Sequence, residues 1–213
     1  MSAPERDALV RELLTRYQPA ALLVYGSFAN GTEDQYSDFD ALAIVRQPSF
    51  AHDHRIFNGR RLDVFFAAPE EFEDPDVCEN WPQLAHAEAV YDPSGFGTSL
   101  IARVRAWYES RPRRPRAACE QDVAWCEKMT ERALRGGEEG FYRWHWLLTE
   151  SLQILLEVEG TVYFGPKKAL RWLREHDPEA HACYGNALTQ MTPATLQSWT
   201  ALLRTRLESQ KFL

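Results

Sequence analysis

Apolar side chains follow a helical period at the start of the chain and gather in short unbroken runs after it. An amphipathic helix is predicted over residues 4–17, where apolar residues recur at helical spacing: Leu9, Val10, Leu13, Leu14 and Tyr17. Residues 20–25 form a continuous apolar run, which is typical of a strand buried on both faces. After a Gly-Ser turn, a short helix through Ala29 and a polar loop, residues 38–45 predict a second strand.

A hairpin is the next predicted element. Residues 55–57 and 61–66 are rich in apolar side chains and lie on either side of Asn58-Gly59. Because Asn-Gly readily adopts the backbone of a two-residue hairpin turn, the two segments are expected to pair as antiparallel strands.

The composition changes at residues 111–116, after a predicted strand over 87–92 and a predicted helix around 100–107. Prolines alternate there with four arginines, which predicts a stiff, solvated connector. A phosphate-binding or nucleic-acid-binding patch is the alternative interpretation of these arginines. We place the domain boundary in this stretch, which gives domains 1–113 and 114–213.

Beyond the connector the strand patterns stop. Helical spacing between Gly and Pro residues predicts five helices, over residues 117–134, 141–157, 166–176, 179–189 and 193–207. The chain is therefore expected to be α+β, with an all-α helical bundle as its second domain.

Composition narrows the class of protein. The 213 residues carry a formal net charge of −7, which argues against a dedicated nucleic-acid binder, because such proteins are usually basic. The four cysteines form no CxxC pair, and no apolar run approaches the roughly 20 residues that cross a bilayer. With no secretory leader recognised, we expect a soluble cytoplasmic protein with free thiols and no membrane partner.

Two aspartates open the second predicted strand. Side chains of a strand alternate between its faces, so Asp38 and Asp40 point the same way while Phe39 and Ala41 point into the domain. Neighbouring carboxylates repel each other unless a positive group lies between them. A divalent cation relieves that repulsion, and Mg²⁺ takes carboxylates, waters and substrate phosphates as ligands. The pattern predicts a metal site at these aspartates.

Gly26 and Ser27 end the first predicted strand and suggest a phosphate site beside the metal. Glycine lets the backbone approach a ligand closely, and N–H groups at a strand-to-helix turn can bind a phosphate.

Asp63 is the third carboxylate of the pattern. It lies on the second arm of the hairpin in a strongly apolar segment, so it is expected to be partly buried and to need a partner. That partner is either an arginine, one of Arg46, Arg60 and Arg61, or the metal of the two preceding aspartates. We favour the shared metal, because three carboxylates from neighbouring strands can converge on one cleft.

The Gly-Ser turn, the Asp-x-Asp and the third Asp, in this order, resemble the nucleotidyltransferase superfamily of DNA polymerase beta. Within it the chain is similar to small bacterial aminoglycoside and lincosamide nucleotidyltransferases. The resemblance covers the first half of the chain and implies a nucleotidyltransferase fold, a mixed sheet flanked by helices. The second half is similar only in kind, since drug-modifying members carry a helical domain that walls the acceptor pocket.

The resemblance implies transfer of a nucleoside monophosphate from a nucleoside triphosphate, with ATP as the expected donor, to a hydroxyl of a small-molecule acceptor such as an antibiotic. Two Mg²⁺ ions would be held by Asp38, Asp40 and Asp63, with Asp63 as an alternative general base. Gly26 and Ser27 would bind the phosphates. In the second domain, Glu150 is a candidate general base, and Lys167 and Lys168 are candidates for contacting the triphosphate; a solvated helix face is the alternative for all three.

Two other functions are compatible with the same motifs. One is the transfer of AMP to a protein, as minimal antitoxin members of the superfamily perform. The other is a non-catalytic nucleotide sensor, which would predict a broken carboxylate set, whereas Asp38, Asp40 and Asp63 are all present.

Overall fold

The structure is a computed structural model that describes residues 3–47 and 52–210. It divides into two compact units, Met1–Arg111 and Pro112–Leu213. The boundary placed from sequence after residue 113 lies two residues further along the chain than this division.

The first unit mixes helices and strands, as expected from the change of period along the sequence. Its elements in chain order are α1 (Ala3–Tyr17), β1 (Ala21–Val24), α2 (Gly26–Asn30), β2 (Phe39–Ile44), β3 (His52–Asp53), β4 (Ile56–Phe57), β5 (Arg60–Ala67), β6 (Glu88–Tyr91) and α3 (Phe96–Glu109). Three short 3₁₀ segments, Pro69–Phe72, Pro75–Asn80 and Pro82–His86, connect β5 to β6.

Within the described residues the strands form one mixed sheet in the order β3-β5-β2-β1-β6, with β4 paired to β5. Strands β2 and β5 run parallel, and the other pairs are antiparallel. The mixed sheet and the helices around it confirm the fold class expected from the sequence. Strand β3 was not predicted, because two residues are too short to show a period.

The sheet is buried on both faces at its strand β1. On one face Leu9 and Leu13 of α1 share a core with Phe39 of β2 and Val64 of β5. On the other face α3 approaches β1 so closely that a Cβ on Gly97 would lie 2.5 Å from Leu23 Cδ2. All four residues of β1 are buried, which confirms the strand predicted from its unbroken apolar run.

The predicted hairpin is present. Strands β4 and β5 pair antiparallel, and Asn58 and Gly59 both have positive φ angles, 50° and 78°. Two successive residues with positive φ are what a type I′ turn requires, so this turn sets where β5 begins.

The second unit is all-helical in its described part. Its elements are α4 (Arg116–Ala133), α5 (Gly137–Val158), α6 (Pro166–His176), α7 (Pro178–Thr189) and α8 (Pro193–Ser209). They confirm the five predicted helices; the largest difference in bounds is at α5, which begins four residues before the predicted start at 141. The helices share one hydrophobic core, which includes Trp144, Leu155, Leu173 and Trp199.

Arginines of the connecting stretch bind the second unit and are not freely solvated. Arg114 Nη1 donates to Glu157 Oε2 and lies 2.7 Å from Asp122 Oδ2. The stretch predicted as a solvated connector is therefore anchored, because two carboxylates of the bundle face it.

A buried hydrogen bond joins two helices of the bundle. Trp199 Nε1 of α8 donates to Ser151 Oγ of α5 over 2.8 Å, and both residues are fully buried. A buried indole N–H must find an acceptor, because a donor that leaves water without a new partner is costly.

Ser151→Ala removes that acceptor and leaves the Trp199 indole unpaired. We expect the free energy of unfolding of the second unit to fall by about 1–3 kcal/mol, measured by chemical denaturation followed by tryptophan fluorescence. Ser198→Ala makes the same chemical change on an exposed position of α8 and is expected to shift it by less than about 0.5 kcal/mol. Equal losses in the two variants would contradict the role assigned to the bond.

Candidate functional site

Asp40 and Asp63 lie side by side on the two parallel strands. The register pairs Asp40 of β2 directly with Asp63 of β5, and Phe39 with Leu62 before them. Phe39, Ala41, Leu62 and Val64 are buried, so the two aspartates share the opposite face of the sheet. Because neighbouring strands are about 4.8 Å apart, the sheet places the two carboxylates next to each other.

The Gly26 turn touches one of these carboxylates. Gly26 has φ 68°, and a Cβ at this position would overlap Asp40 Oδ2 and lie 3.0 Å from Asp40 Cγ. The backbone N–H of Tyr25 donates to the Asp40 carbonyl over 3.1 Å. Glycine is therefore required here on two grounds, the left-handed backbone and the space taken by the carboxylate.

The two carboxylates create a negative potential that affects the pKa of the neighbouring Tyr25. Tyr25 is buried, and its pKa is raised, first by burial and then by the negative charges of Asp63 and Asp40. A site with this potential favours the binding of a cation.

The hydrogen-bond partner of Asp63 is a histidine that was not predicted from the sequence. His52 Nε2 of β3 lies 2.5 Å from Asp63 Oδ1, and its ring stacks on Phe65 with centroids 4.6 Å apart. From the sequence, an arginine or a metal is the expected partner of Asp63. The sequence carries no signal for His52, because its proximity to Asp63 depends on the pairing of a two-residue strand with β5.

A buried network holds β3 in place. Asp53, 7% exposed, accepts hydrogen bonds from the Tyr17 hydroxyl at 2.6 Å, from the Arg55 backbone N–H at 3.1 Å and from Arg55 Nε at 3.0 Å. Arg55 also pairs with Glu12 of α1. Burial by itself would raise the pKa of Asp53, but the hydrogen bonds from Tyr17 and Arg55 outweigh it and hold the pKa below its usual value.

Asp38 lies at the end of a loop that is hydrogen-bonded to Arg60. Arg60 Nη1 donates to the carbonyls of Asp34 and Ser37 over 2.7 and 2.8 Å, and Arg60 itself is buried. Asp38 lies one residue before β2 with an exposed side chain, and its nearest recorded partner is Arg61 Nε at 4.0 Å. Since both side chains are about half exposed, this ion pair contributes little, and Asp38 remains accessible to a ligand.

The carboxylates fit a magnesium ion by chemical type. Mg²⁺ prefers oxygen ligands, and Asp40 and Asp63 supply them from adjacent, in-register positions with Asp38 close by in sequence. In residues 3–47 and 52–210, however, no three His, Cys, Asp or Glu side chains already converge as a metal site. His52 engages Asp63 Oδ1, so a cation at Asp63 would have to use Oδ2 or displace the imidazole.

The part of the chain that holds these carboxylates is similar to a known protein family. Residues 6–81, which include Gly26, Ser27, Asp38, Asp40 and Asp63, match the nucleotidyltransferase domain family. The matched residues all lie in the first unit. No curated protein matches the chain.

Among solved structures, one similar chain is a nucleotidyltransferase-like protein from Exiguobacterium sibiricum 255-15. It is 16% identical with a TM-score of 0.43, and the similarity covers 96% of this chain and 75% of that one.

No helix in the described part of the chain is both long and apolar enough to span a membrane.

Ser27, which lies within the matched residues, follows Gly26 at the start of α2. It is partly buried, and its backbone carbonyl accepts the Thr32 N–H over 3.0 Å. Asn30 Nδ2 donates to the Gly26 carbonyl over 2.7 Å and closes the same short helix. These bonds fix the turn beside Asp40, and phosphate binding by Ser27 stays a prediction.

The other predicted residues lie outside the matched residues, in the second unit. Glu150 is exposed on α5, and its charge raises the pKa of Tyr163 after the larger effect of burial. Lys167 and Lys168 occupy the first turn of α6. Lys167 is exposed, whereas burial and then Arg171 lower the pKa of Lys168 to about 8, with its ammonium 5.3 Å from the Phe164 ring centroid. The roles assigned to these three residues stay predictions.

Gly26→Ala tests the contact between the turn and Asp40. Gly31→Ala is the matched control, because Gly31 has a similar φ of 64° but no atom within 4 Å of an added Cβ. Both variants bear the backbone strain of about 1–2 kcal/mol, and only Gly26→Ala must also displace Asp40. We expect a larger loss of unfolding free energy and a lower affinity for Mg²⁺ in Gly26→Ala alone, measured by urea denaturation and isothermal titration. Indistinguishable variants would contradict the contact.

Asp53→Asn tests the network under β3 through its dependence on pH. Because the pKa of Asp53 is lower in the folded protein, its charge stabilises the fold above the unfolded pKa of about 3.9, and this contribution is lost as the pH falls towards the folded pKa. We expect the free energy of unfolding to fall less between pH 6 and pH 3 in Asp53→Asn than in the unmodified protein, measured by urea denaturation. Asp76→Asn, at an exposed position, should keep the full pH dependence.

Proposed function

We propose that the chain is a Mg²⁺-dependent nucleotidyltransferase that moves a nucleoside monophosphate from a nucleoside triphosphate, ATP in the first instance, to a hydroxyl of a small-molecule acceptor. The observation that carries the proposal is the in-register pair Asp40 and Asp63 beside the Gly26 turn, within the residues that match the nucleotidyltransferase domain. An adjacent carboxylate pair needs a cation, and a nucleoside triphosphate brings one with it.

In this proposal Asp38, Asp40 and Asp63 hold the metal, and Gly26 and Ser27 lie against the phosphates. The bound metal would neutralise the triphosphate and stabilise charge on the attacking and leaving oxygens. Gly26 contributes by leaving space at Asp40 Oδ2, where any side chain would push the carboxylate away. His52 holds Asp63 through Oδ1 and so orients the second oxygen of that carboxylate.

The reaction forms one bond and breaks one. The acceptor oxygen bonds to the α-phosphorus, the bond from that phosphorus to the bridging oxygen breaks, and pyrophosphate leaves with the electron pair. The hydroxyl proton goes to a carboxylate, for which Asp63 and Glu150 are the two candidates. Asp63 belongs to the domain that matches the family, whereas Glu150 lies outside it.

The acceptor is proposed from the net charge of the chain and from its resemblance to other enzymes. The net charge of −7 is compatible with a cationic acceptor such as an aminoglycoside. The antibiotic role comes from the resemblance to drug-modifying enzymes. Protein AMP transfer and nucleotide sensing are therefore kept as outcomes of the test below.

The deciding experiment measures pyrophosphate release with ATP and Mg²⁺ across a panel of hydroxyl-bearing acceptors, including aminoglycosides, lincosamides and a denatured protein mixture. Asp40→Asn is expected to lower turnover at least about 100-fold, because it removes charge stabilisation at the reacting phosphate. Asp76→Asn removes one carboxylate from an exposed site and should leave turnover unchanged.

Nucleotide binding separates the alternatives. If Mg²⁺-ATP binds by isothermal titration but no acceptor yields pyrophosphate, a nucleotide sensor is the better assignment. Label transfer from ATP to protein alone would favour protein modification. Full turnover in a folded Asp40→Asn variant, with folding checked by thermal unfolding, would overturn the assignment of the metal-binding pair.

A further inference from the structure

A basic pocket lies at the turn between α4 and α5 in the second unit. It has a volume of ≈ 250 Å³ and is lined by Arg132, Arg135, Gly136, Glu139, Gly140 and Arg143. Since a water molecule takes about 30 Å³ of liquid volume, the pocket has room for a ligand of several heavy atoms.

Three guanidinium groups face one carboxylate in this pocket. Arg143 is paired with Glu139, through Nε at 3.2 Å and through Nη2. The side chains of Arg132 and Arg135 have no hydrogen bond or ion pair within the described part of the chain. The pocket therefore keeps two uncompensated positive charges in a protein whose net charge is −7.

The positive charges of the three arginines all act on Glu139. Arg143 lowers the pKa of Glu139 by its hydrogen bond and its charge, and Arg135 and Arg132 lower it further. The lining of the pocket places these three arginines beside Glu139, and exposed charges interact within about 10 Å at ordinary salt.

The fold brings these arginines to the first turn of α5. A Cβ on Gly140 would lie 2.7 Å from the Ala133 carbonyl, so α4 and α5 meet at close range where the pocket forms. Gly136 precedes α5 and offers no side chain to cap it, which leaves the N–H groups at the start of this 22-residue helix without side-chain acceptors. An anion at this point would meet both the guanidinium groups and the positive end of the helix dipole.

We propose that this pocket binds the phosphate groups of a small phosphorylated molecule. Guanidinium groups bind phosphate through paired N–H donors, and N–H groups at a helix start add further donors of the same kind. Glu139 is neutralised by Arg143, so Arg132 and Arg135 supply the net attraction. The site consists only of residues of α4, α5 and their turn, and it does not depend on nucleotidyl transfer by the first unit.

The test titrates inorganic pyrophosphate, and separately AMP, into the full chain in EDTA by isothermal titration. EDTA removes divalent cations, so the aspartate site of the first unit has no metal through which to hold an anion. Saturable binding is expected for at least one probe; stronger binding of pyrophosphate points to an oligophosphate, and stronger binding of AMP to a nucleotide.

The double variant Arg132→Gln/Arg135→Gln is expected to weaken this binding at least about tenfold. Arg171→Gln/Arg174→Gln is the matched control, because it removes two exposed arginines at the same spacing from α6, away from the pocket. It should change the affinity less than twofold. The single variant Arg135→Gln, at an exposed side chain, replaces the double variant if the latter unfolds.

Two results would overturn the proposal. One is the absence of saturable binding of both probes to the unmodified chain. The other is an equal loss of affinity in the pocket variant and in the α6 control, which would show a general effect of net charge and no localised site.

Discussion

The parallel pairing of β2 with β5 is the constraint on which the candidate site depends. It places Asp40 opposite Asp63, and it is held by Phe39, Ala41, Leu62 and Val64, which are buried against α1. A shift of one residue in either strand would turn a carboxylate into that core and expose an apolar side chain. The register is therefore enforced by hydrophobic burial on one face, and the chemistry on the other face follows from it.

Two adjacent carboxylates at the edge of a core are unfavourable without compensation, and the surrounding residues limit the cost. His52 pairs with Asp63, and the Gly26 turn leaves room for Asp40. The network around Asp53 then fixes the short strand that carries His52, through Tyr17 and Arg55. These contacts hold the two aspartates in place, and the charges of Asp63 and Asp40 add to burial in raising the pKa of Tyr25.

The second unit has a positively charged pocket at the turn between α4 and α5, in contrast to the negative carboxylate pair of the first unit. Its helices share a separate core, with a buried bond between Trp199 and Ser151, so it does not need the sheet for its own packing. The turn between α4 and α5 collects arginines around Glu139. The chain therefore has an adjacent pair of carboxylates in the first unit and a group of guanidinium groups in the second, and each unit has its own hydrophobic core.

The sequence by itself determined the local elements and the type of chemistry. An unbroken apolar run specified β1, Asn58-Gly59 specified the hairpin, and alternation along β2 placed Asp40 opposite Phe39 and Ala41. These features depend on residues that are close together in the sequence, so they can be predicted from the sequence alone. Only the tertiary structure decided the partner of Asp63 and the grouping of Arg132 with Arg143, because both arise between segments distant in sequence or separated by a turn. Such contacts depend on how the helices pack and on which strand residues pair, and neither can be inferred from the order of residues.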